Sequence, residues 1–358
     1  MANFVDDYGF FAKLLHKFAF KTAKMQINLA ESEYQQHLSE LLHIPIKKPI
    51  FITGLPRAGT TVLLEVLAGC EQFSYHTYQD MPFIFTPLMW RDFTAKYAKA
   101  DTPKMRAHND GIKINQQSPE AFEERFYVSF FADKYQGDTL SADDYRDENG
   151  KFELFYRHHI QKLIYRDGGN KRYLSKNNLN ITRISFIKQM FDDALILLPF
   201  RHPLQHALSL YRQHMNFTQL HKENPFAKEY MAAIGHFDFG ENFKPVNFNQ
   251  WLDRCDYRSH QLNFWLKYWI ACYEYLLEHC PGDTCLVGFE SINSQPQAYL
   301  KALGEYIDVP VDDLLKVGCR IRTIEPRTID PSAYDKHLLK KAEEIYQTLI
   351  EKSKIKLG

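Results

Sequence analysis

The stretch Pro49-Ile-Phe-Ile-Thr-Gly-Leu-Pro-Arg-Ala-Gly-Thr-Thr61 decides the fold class of this chain. Its first part, 49–53, is a short apolar run that predicts a buried strand. The segment 60–68 is apolar nearly all round and predicts a buried helix. Between them, Gly54 and Gly59 have the spacing of a phosphate-binding loop. The stretch therefore predicts a strand, an anion-binding loop and a helix in succession.

The loop carries the hydrogen-bond donors that an anion requires. Its glycines let backbone N–H groups turn towards an anion, and the first turn of the helix adds unpaired N–H groups and a partial positive charge. An ordinary glycine-containing turn is the alternative, which we disfavour because the strand, glycines, arginine and paired threonines occur together. The residues predicted to bind the anion are Arg57, Ala58, Gly59, Thr60 and Thr61.

The loop differs from that of a magnesium-dependent NTPase in two respects. Such a loop would have lysine after the second glycine, where this chain has Thr60. An NTPase also needs a Walker B acid for magnesium, whereas the strongest later strand, 194–200, ends in Arg201. Both departures favour an anionic ligand that binds without a metal, and no metal site is predicted.

Strands and helices alternate along the rest of the chain. Further strands are predicted at 73–78, 172–174, 194–200 and 284–289. This alternation predicts an α/β fold of the P-loop type, a three-layer sandwich with a central parallel sheet flanked by helices. Ligands bind at the carboxyl ends of the strands in such sheets, so the functional site is expected there.

We divide the chain into an N-terminal helical extension, 1–44, and one main domain, 45–358. The domain carries helical insertions at about 85–170 and 221–250. In the extension, apolar residues at helical spacing predict a helix packed on the domain. Peripheral contact with a membrane is the alternative. These apolar residues are Phe11, Leu14, Leu15 and Phe18.

Composition argues against several classes of protein. Hydrophobic residues make up 45% of the chain and charged residues 25%, which is typical of a soluble protein with a sizeable core. Lys plus Arg equals Asp plus Glu, at 44 each, so no overall positive charge would hold nucleic acid. The six cysteines form no CxxC pair, and neither a signal peptide nor a long apolar run is evident. A cytoplasmic protein without a membrane span is expected.

The loop at 54–61 resembles the 5′-phosphosulfate loop of sulfotransferases that use 3′-phosphoadenosine 5′-phosphosulfate (PAPS). Its Pro-Arg-Ala-Gly-Thr-Thr form resembles the tyrosylprotein and bacterial branches, which often have arginine where cytosolic members have lysine. A second segment, in which Arg201 ends a strand and Ser209 follows in the next helix, resembles the family's 3′-phosphate segment. The resemblance implies that Arg201 and Ser209 bind this phosphate, and that Arg57 also acts in catalysis.

The segment 173–178 resembles the part of the family that supplies a basic residue near the transferred group, which makes Lys176 a candidate catalytic residue. A general base must also take the acceptor proton. In the family this base is typically His or Glu, and the comparable segment here, 75–82, has no Glu. Asp80 is therefore the favoured base and His76 the alternative, although Asp80 equally fits a helix cap.

A second acidic cluster lies at 118–125. Its Ser-Pro-Glu sequence makes a good helix start, but bacterial sulfotransferase-like proteins often carry a similar segment beside the acceptor site. Glu120 and Glu124 are therefore alternative candidates for the base or for contact with the acceptor. Weaker candidates for contact with the nucleotide are Arg212, Arg320, Arg322 and Arg327.

Taken together, the resemblance implies a bacterial-type sulfotransferase that moves a sulfuryl group from PAPS to a hydroxyl acceptor by in-line transfer with a general base. Glycan, lipid and small-molecule acceptors stay open at this point, as does the oligomeric state. Two alternatives are a P-loop nucleotide kinase or NTPase, and a non-catalytic sulfotransferase homologue that binds the nucleotide.

Overall fold

The computed structural model describes residues 16–19, 22–95, 104–105, 113–142, 145–318, 321 and 325–355. At its centre, five strands form a sheet in which every neighbouring pair is parallel. The strands among these residues are β1 (Ile50–Ile52), β2 (Phe73–Ser74), β3 (Lys104–Met105), β4 (Lys113–Ile114), β5 (Arg172–Lys176), β6 (Leu195–Phe200) and β7 (Cys285–Gly288). The order in the sheet is β2-β5-β1-β6-β7.

Strand β1 lies in the middle of the sheet, directly before the predicted loop. Ile50 pairs with Leu174 of β5 on one side and with Leu195 of β6 on the other. The predicted parallel sheet is thus confirmed, although β2 is shorter than expected. Strands β3 and β4 form a separate antiparallel pair in a region that was expected to be helical.

Helices follow most strands and cover both faces of the sheet. Those of the described residues are α1 (Ala23–Gln36), α2 (Leu38–Leu41), α3 (Thr60–Ala68), α4 (Pro87–Ala95), α5 (Glu124–Phe130), α6 (Lys151–Arg166), α7 (Ile184–Met190), α8 (Pro203–Glu223), α9 (Pro225–Ala233), α10 (Leu262–His279), α11 (Phe289–Ser294), α12 (Pro296–Ile307), α13 (Val311–Gly318) and α14 (Lys336–Lys352).

An apolar layer is buried on each face of the sheet. Because neighbouring residues of a strand point to opposite faces, Phe51 packs into one layer, and Ile50 and Ile52 pack into the other. Helix α10 adds Trp265 and Trp269, both fully buried, to the first layer. Two apolar layers around one sheet confirm the predicted three-layer sandwich.

Helix α1 packs against α6 around a buried ion pair. Lys162 Nζ lies 2.8 Å from Glu33 Oε2, and both side chains are shielded from solvent. Of the predicted apolar stripe, Phe18 is 51% exposed, whereas Phe11, Leu14 and Leu15 lie outside the described residues. No helix in the described part of the chain combines the length and the apolar character that a membrane span requires.

Candidate functional site

The loop between β1 and α3 adopts a conformation that requires glycine at two positions. Gly54 has a φ of 154° and Gly59 a φ of 102°, values that side chains disfavour. A Cβ on Gly59 would lie 2.6 Å from the ring of Phe289, and a Cβ on Gly54 would lie 3.1 Å from the carbonyl oxygen of Pro199. Ala58 is fully buried. Ala58 and Gly59 therefore shape the backbone of the loop, and the Ala58 amide donates to the carbonyl oxygen of Leu55 within it.

Helix α8 holds the loop at two neighbouring residues. Arg57 Nε donates to Ser209 Oγ at 3.3 Å, and His206 Nε2 lies 2.8 Å from the carbonyl oxygen of Pro56. Burial, together with the charges of Arg201 and Arg57, lowers the pKa of His206 to about 3. The ring is therefore neutral at physiological pH, and its Nε2–H donates to Pro56.

Arg201 lies beside these residues at the end of β6. Its guanidinium stacks 4.8 Å from the ring centroid of Phe289. Burial lowers the pKa of Arg201, whereas the carboxylate of Glu290 raises it. The charge of Arg57 also lowers this pKa, which shows that Arg57 and Arg201 are neighbours. Among the described residues, Arg201 Nε is buried without a hydrogen-bond partner. Two neighbouring cations and an unused buried donor would stabilise a bound anion.

Hydrogen bonds link the loop to the end of β5. Thr60 Oγ1 donates to Asn178 Oδ1 at 3.2 Å, and Asn178 Nδ2 donates to Asp238 Oδ2 at 2.9 Å. Lys176, two residues before Asn178, lines the same cavity as Arg57. The carboxyl ends of two central strands therefore direct a hydroxyl, an amide and an ammonium group towards one cavity.

This cavity has an empty volume of about 1060 Å³, including its open mouth. One wall is the segment 120–124, and the opposite wall is α9 with the turn that follows it. The two walls meet at Gly235, where a Cβ would lie 2.5 Å from Glu124 Cγ. The loop closes one end of the cavity through Pro56, Arg57, Thr60 and Thr61.

Asp80 and His76, the two bases expected from the sequence, do not line this cavity. Arg166 Nη1 lies 2.8 Å from Asp80 Oδ1, and the Thr77 amide donates to Asp80 Oδ2 at 2.8 Å. His76 lies 3.3 Å from the same carboxylate and 3.0 Å from His159. Asp80 is 5% exposed and His76 is 3% exposed. Asp80 therefore caps the short helix Tyr78–Asp80 from its third position, with Thr77 as the N-cap, whereas the alternative to catalysis placed Asp80 itself at the N-cap.

The charges around Asp80 also oppose a role as base. Burial raises the pKa of Asp80, but Arg166 and His76 lower it more, so that the pKa lies below its ordinary value. A carboxylate held in this way is a weak proton acceptor, and it is too enclosed to meet an acceptor molecule. Burial and pairing therefore argue against Asp80 and His76 as the base.

Glu124 lines the cavity but is bound to Arg183. Arg183 Nη1 and Nη2 donate to the two carboxylate oxygens, and Asn177 Nδ2 adds a bond of 2.8 Å. Although burial lowers it, the charge of Glu124 holds the pKa of Arg183 well above its ordinary value. This buried bidentate pair indicates that Glu124 anchors the wall of the cavity, which argues against it as the base.

Glu120 is half-buried at the wall of the cavity. One carboxylate oxygen accepts from the hydroxyl of Tyr78, and the other accepts from the Ala121 amide at 2.7 Å. The charges of Glu120 and Lys176 both act on the pKa of His236, so the three side chains face a common space. Glu120 therefore combines access to the cavity with nearness to the cationic end of the site.

His236 and Asp238 line the cavity but were missed by sequence analysis. His236 Nε2 lies 4.0 Å from Asp238 Oδ2, and its ring stacks on Phe217 at 5.2 Å between centroids. Burial lowers the pKa of His236, Asp238 raises it, and Lys176 lowers it. The sequence offered only a histidine and an aspartate two residues apart in the predicted insertion at 221–250, and this pair matches no motif that would have marked it as functional.

The remaining arginine candidates lie apart from the loop or outside the described residues. Arg212 is exposed on α8. Arg327 contacts α8 through its backbone, whose carbonyl oxygen accepts from Gln205 at 2.7 Å. Arg320 and Arg322 are not among the described residues. Within the described part of the chain, no three potential metal ligands cluster together.

The comparisons identify one family. The family model described as Sulfotransferase family matches residues 49–313 of this chain. None of the curated proteins matches it.

Solved structures resemble the chain in fold. Sulfotransferase STF9 from Mycobacterium avium superimposes with a TM-score of 0.53 at 13% identity, covering 94% of this chain and 85% of that chain. Sulfotransferase STF1 from Mycobacterium tuberculosis H37Rv gives a TM-score of 0.47 at 14% identity, covering 90% of this chain and 81% of that chain. The likeness to STF9 supports a shared fold at low identity.

Proposed function

Because the chain belongs to the sulfotransferase family, we propose that it transfers a sulfuryl group from PAPS to a hydroxyl acceptor in the described cavity. The observation that carries the proposal is the meeting of two motifs that lie far apart in the sequence. Arg57 of the loop donates to Ser209 of α8, and Arg201 lies close to Arg57. An ordinary βα turn does not require two neighbouring arginines, one of which has a buried donor without a hydrogen-bond partner.

In this proposal the loop binds the 5′-phosphosulfate end of the donor. Backbone N–H groups of the loop and of the first turn of α3 face the anion. Thr61 adds a hydroxyl donor, and Thr60 contributes its backbone N–H while its hydroxyl donates to Asn178. Arg201 and Ser209 bind the 3′-phosphate, for which the buried Nε of Arg201 is a suitable donor. No metal is needed, because arginine and lysine side chains neutralise the phosphate and sulfuryl oxygens.

Transfer then requires alignment, charge neutralisation and a base. The acceptor oxygen forms a bond to sulfur while the bond from sulfur to the 5′-phosphate oxygen breaks. We propose Glu120 as the base that takes the acceptor proton, and Lys176 with Arg57 as the groups that stabilise charge on the leaving oxygen. His236 is the second candidate for the base, because burial keeps it neutral beside Lys176.

Nucleotide kinase or NTPase activity is the main alternative, and two residues disfavour it. Thr60 stands where the lysine of an NTPase loop would be, and β6 ends in Arg201 rather than in an acid for magnesium. A homologue that binds the nucleotide without turnover is the other alternative. The cavity favours turnover, because Glu120 and Lys176 line it together.

Titration calorimetry with 3′-phosphoadenosine 5′-phosphate (PAP), and separately with ATP plus magnesium, tests the proposal. We expect PAP to bind without metal and ATP to bind weakly. Arg201→Ala should weaken PAP binding by about 2 kcal/mol or more, since a charged contact is lost. Arg258→Ala, at an exposed arginine with no proposed role in the site, is the matched control. Preference for ATP, or equal affinities of the two variants, would overturn the proposed donor site.

A further inference from the structure

The cavity has two chemically different halves. Its polar half contains the loop, Lys176 and Glu120. Its other half is an apolar wall on α9, where Tyr230, Met231 and Ile234 face the cavity at helical spacing. Phe122 and Phe239 extend the apolar surface on either side. A molecule whose hydroxyl group reaches Glu120 must place its remaining atoms against this wall.

The charges of the cavity further restrict the chemical class of the acceptor. The cationic groups, Arg57 and Lys176, lie at the end that the donor anion neutralises in the proposed function. The same cavity also contains the carboxylates of Glu120 and Asp238, which the donor anion would not neutralise. An anionic acceptor would meet like charges there and would lose its hydration against the apolar wall.

A sugar would be disfavoured for a different reason. Its several hydroxyl groups would be buried against Met231 and Ile234, whose side chains offer them no strong hydrogen-bond partner. Each hydroxyl left unpaired in this way reduces affinity. An alkyl or aryl group, by contrast, gains from being removed from water at the same surface.

The wall is also formed before any acceptor binds. His221 Nε2 lies 3.4 Å from Met231 Sδ, and the ring of His16 contacts that of Tyr230 at 5.3 Å between centroids. Lys17 forms an ion pair of 2.7 Å with Glu229 on the same helix. Because contacts on two sides fix α9, an apolar acceptor would bind with little ordering of the protein.

From these observations we infer that the acceptor is a hydroxyl group carried on an uncharged, apolar body, which means an alkyl or aryl alcohol. The inference rests on the proposed function for the identity of the reaction. It adds the chemical class of the acceptor, and it assigns Ile234 and Met231 as the residues that select this class.

Three probes with a hydroxyl group test the class: octanol, hydroxyoctanoate and glucose. The first two differ by a charge at the far end, and the third replaces apolar surface by hydroxyl groups. Binding to the PAP-saturated protein is measured by calorimetry, and sulfuryl transfer is measured with PAPS. We expect octanol to bind at least roughly tenfold more tightly than either rival, because glucose lacks the chain of methylene groups that leaves water and hydroxyoctanoate must desolvate its carboxylate.

A pair of matched variants links this preference to the wall. Ile234→Asn places an amide at a half-buried position of the cavity, and we expect it to reduce the preference for octanol by roughly tenfold or more. Ile350→Asn makes the same change at a residue of α14 that is 43% exposed, and should leave the preference unchanged. Unaltered PAP affinity in both variants would show that each is folded.

The outcomes separate this inference from the proposed function. Tighter binding of glucose or hydroxyoctanoate, or an unchanged preference in Ile234→Asn, would overturn the acceptor class while PAP binding still supported the donor site. Failure to bind PAP would overturn the proposed function. In that case the three probes would be titrated into the protein without PAP, to measure binding to the apolar wall alone. If octanol bound no more tightly than the other two probes, the inference would be overturned too.

Discussion

Three carboxylates near the cavity differ in what surrounds them, and this difference assigns their roles. Asp80 faces Arg166, and Glu124 faces Arg183, each in a buried ion pair. Glu120 instead accepts from the Ala121 amide and from a tyrosine hydroxyl at the cavity wall. Glu120 also lines the cavity beside Lys176, so its position and its different hydrogen-bond partners suit it to act as a base.

Glu120→Gln should lower kcat by about two orders of magnitude or more, which is typical of the loss of a general base. The amide has nearly the same shape as the carboxylate, so the dissociation constant for PAP should stay within about twofold, well under the tenfold that 1.4 kcal/mol represents. Steady-state kinetics with PAPS and calorimetry with PAP measure the two quantities. A fully active Glu120→Gln would assign the base to His236.

Asp80→Asn should show the opposite pattern. Arg166 also pairs with Asp167 at 2.8 Å, so removing the charge of Asp80 should cost less than the about 3–5 kcal/mol typical of an uncompensated buried charge. We therefore expect a lower midpoint of urea unfolding, while kcat per folded molecule stays close to that of the parent. Normal stability combined with lost turnover would restore Asp80 as the base.

Sequence reasoning succeeded where the chemistry is local. Loop glycines, paired threonines and Arg57 are neighbours in the chain, and the structure gives the two glycines a backbone that requires them. The choice of base depends on contacts between distant residues. The partner of Asp80 is Arg166, 86 residues away, and no pattern in the sequence joins the two. Sequence reasoning alone could therefore narrow the base to a few carboxylates and His76, but could not choose among them.

At the scale of secondary structure, α8 supports the loop and contributes Ser209 to the proposed donor site at the same time. His206 is fully buried and donates to the carbonyl oxygen of Pro56, one residue before Arg57. Ser209, one turn later on the same face, accepts from Arg57. The helix thereby holds the backbone at Pro56 and the side chain of Arg57, the residue that we propose acts on the sulfuryl group.

His206→Leu should therefore weaken PAP binding by roughly tenfold, since the Pro56 carbonyl loses its donor and the loop loses its support. His206→Gln should restore most of the affinity, because an amide N–H can take the place of Nε2–H. The KM for PAPS should rise more than kcat falls in the leucine variant. Equal affinities of the leucine variant and the parent for PAP would show that the hydrogen bond from His206 to Pro56 does not contribute to nucleotide binding.

At the scale of the whole molecule, the sheet and its two apolar layers follow from the alternation of strands and helices, and they were predicted. The insertions were not predictable in the same way. The turn after α9 brings His236 into the cavity because Gly235 packs on Glu124, and because α8 holds the residues that follow. Such placement depends on packing between separate elements, which periodicity along one segment does not encode.

Two histidines of α8 hold this turn by accepting backbone hydrogen bonds. His214 Nδ1 accepts from the Gly240 amide at 3.2 Å, and His221 Nδ1 accepts from the Glu241 amide at 3.1 Å. Burial lowers the pKa of each ring to about 4. The rings are therefore neutral in the folded protein at a pH where the unfolded chain would already be protonated.

This difference predicts how stability depends on pH. Between the ordinary histidine pKa of about 6.5 and the folded value of about 4, the unfolded chain binds more protons than the folded protein. The free energy of unfolding should therefore fall as the pH falls through this range. Urea unfolding at several pH values would measure the slope. The double variant His214→Gln, His221→Gln should flatten it, whereas His260→Gln, at an exposed histidine, should not. An equal slope in the double variant would mean that other groups control acid sensitivity, and that the turn is held without these two rings.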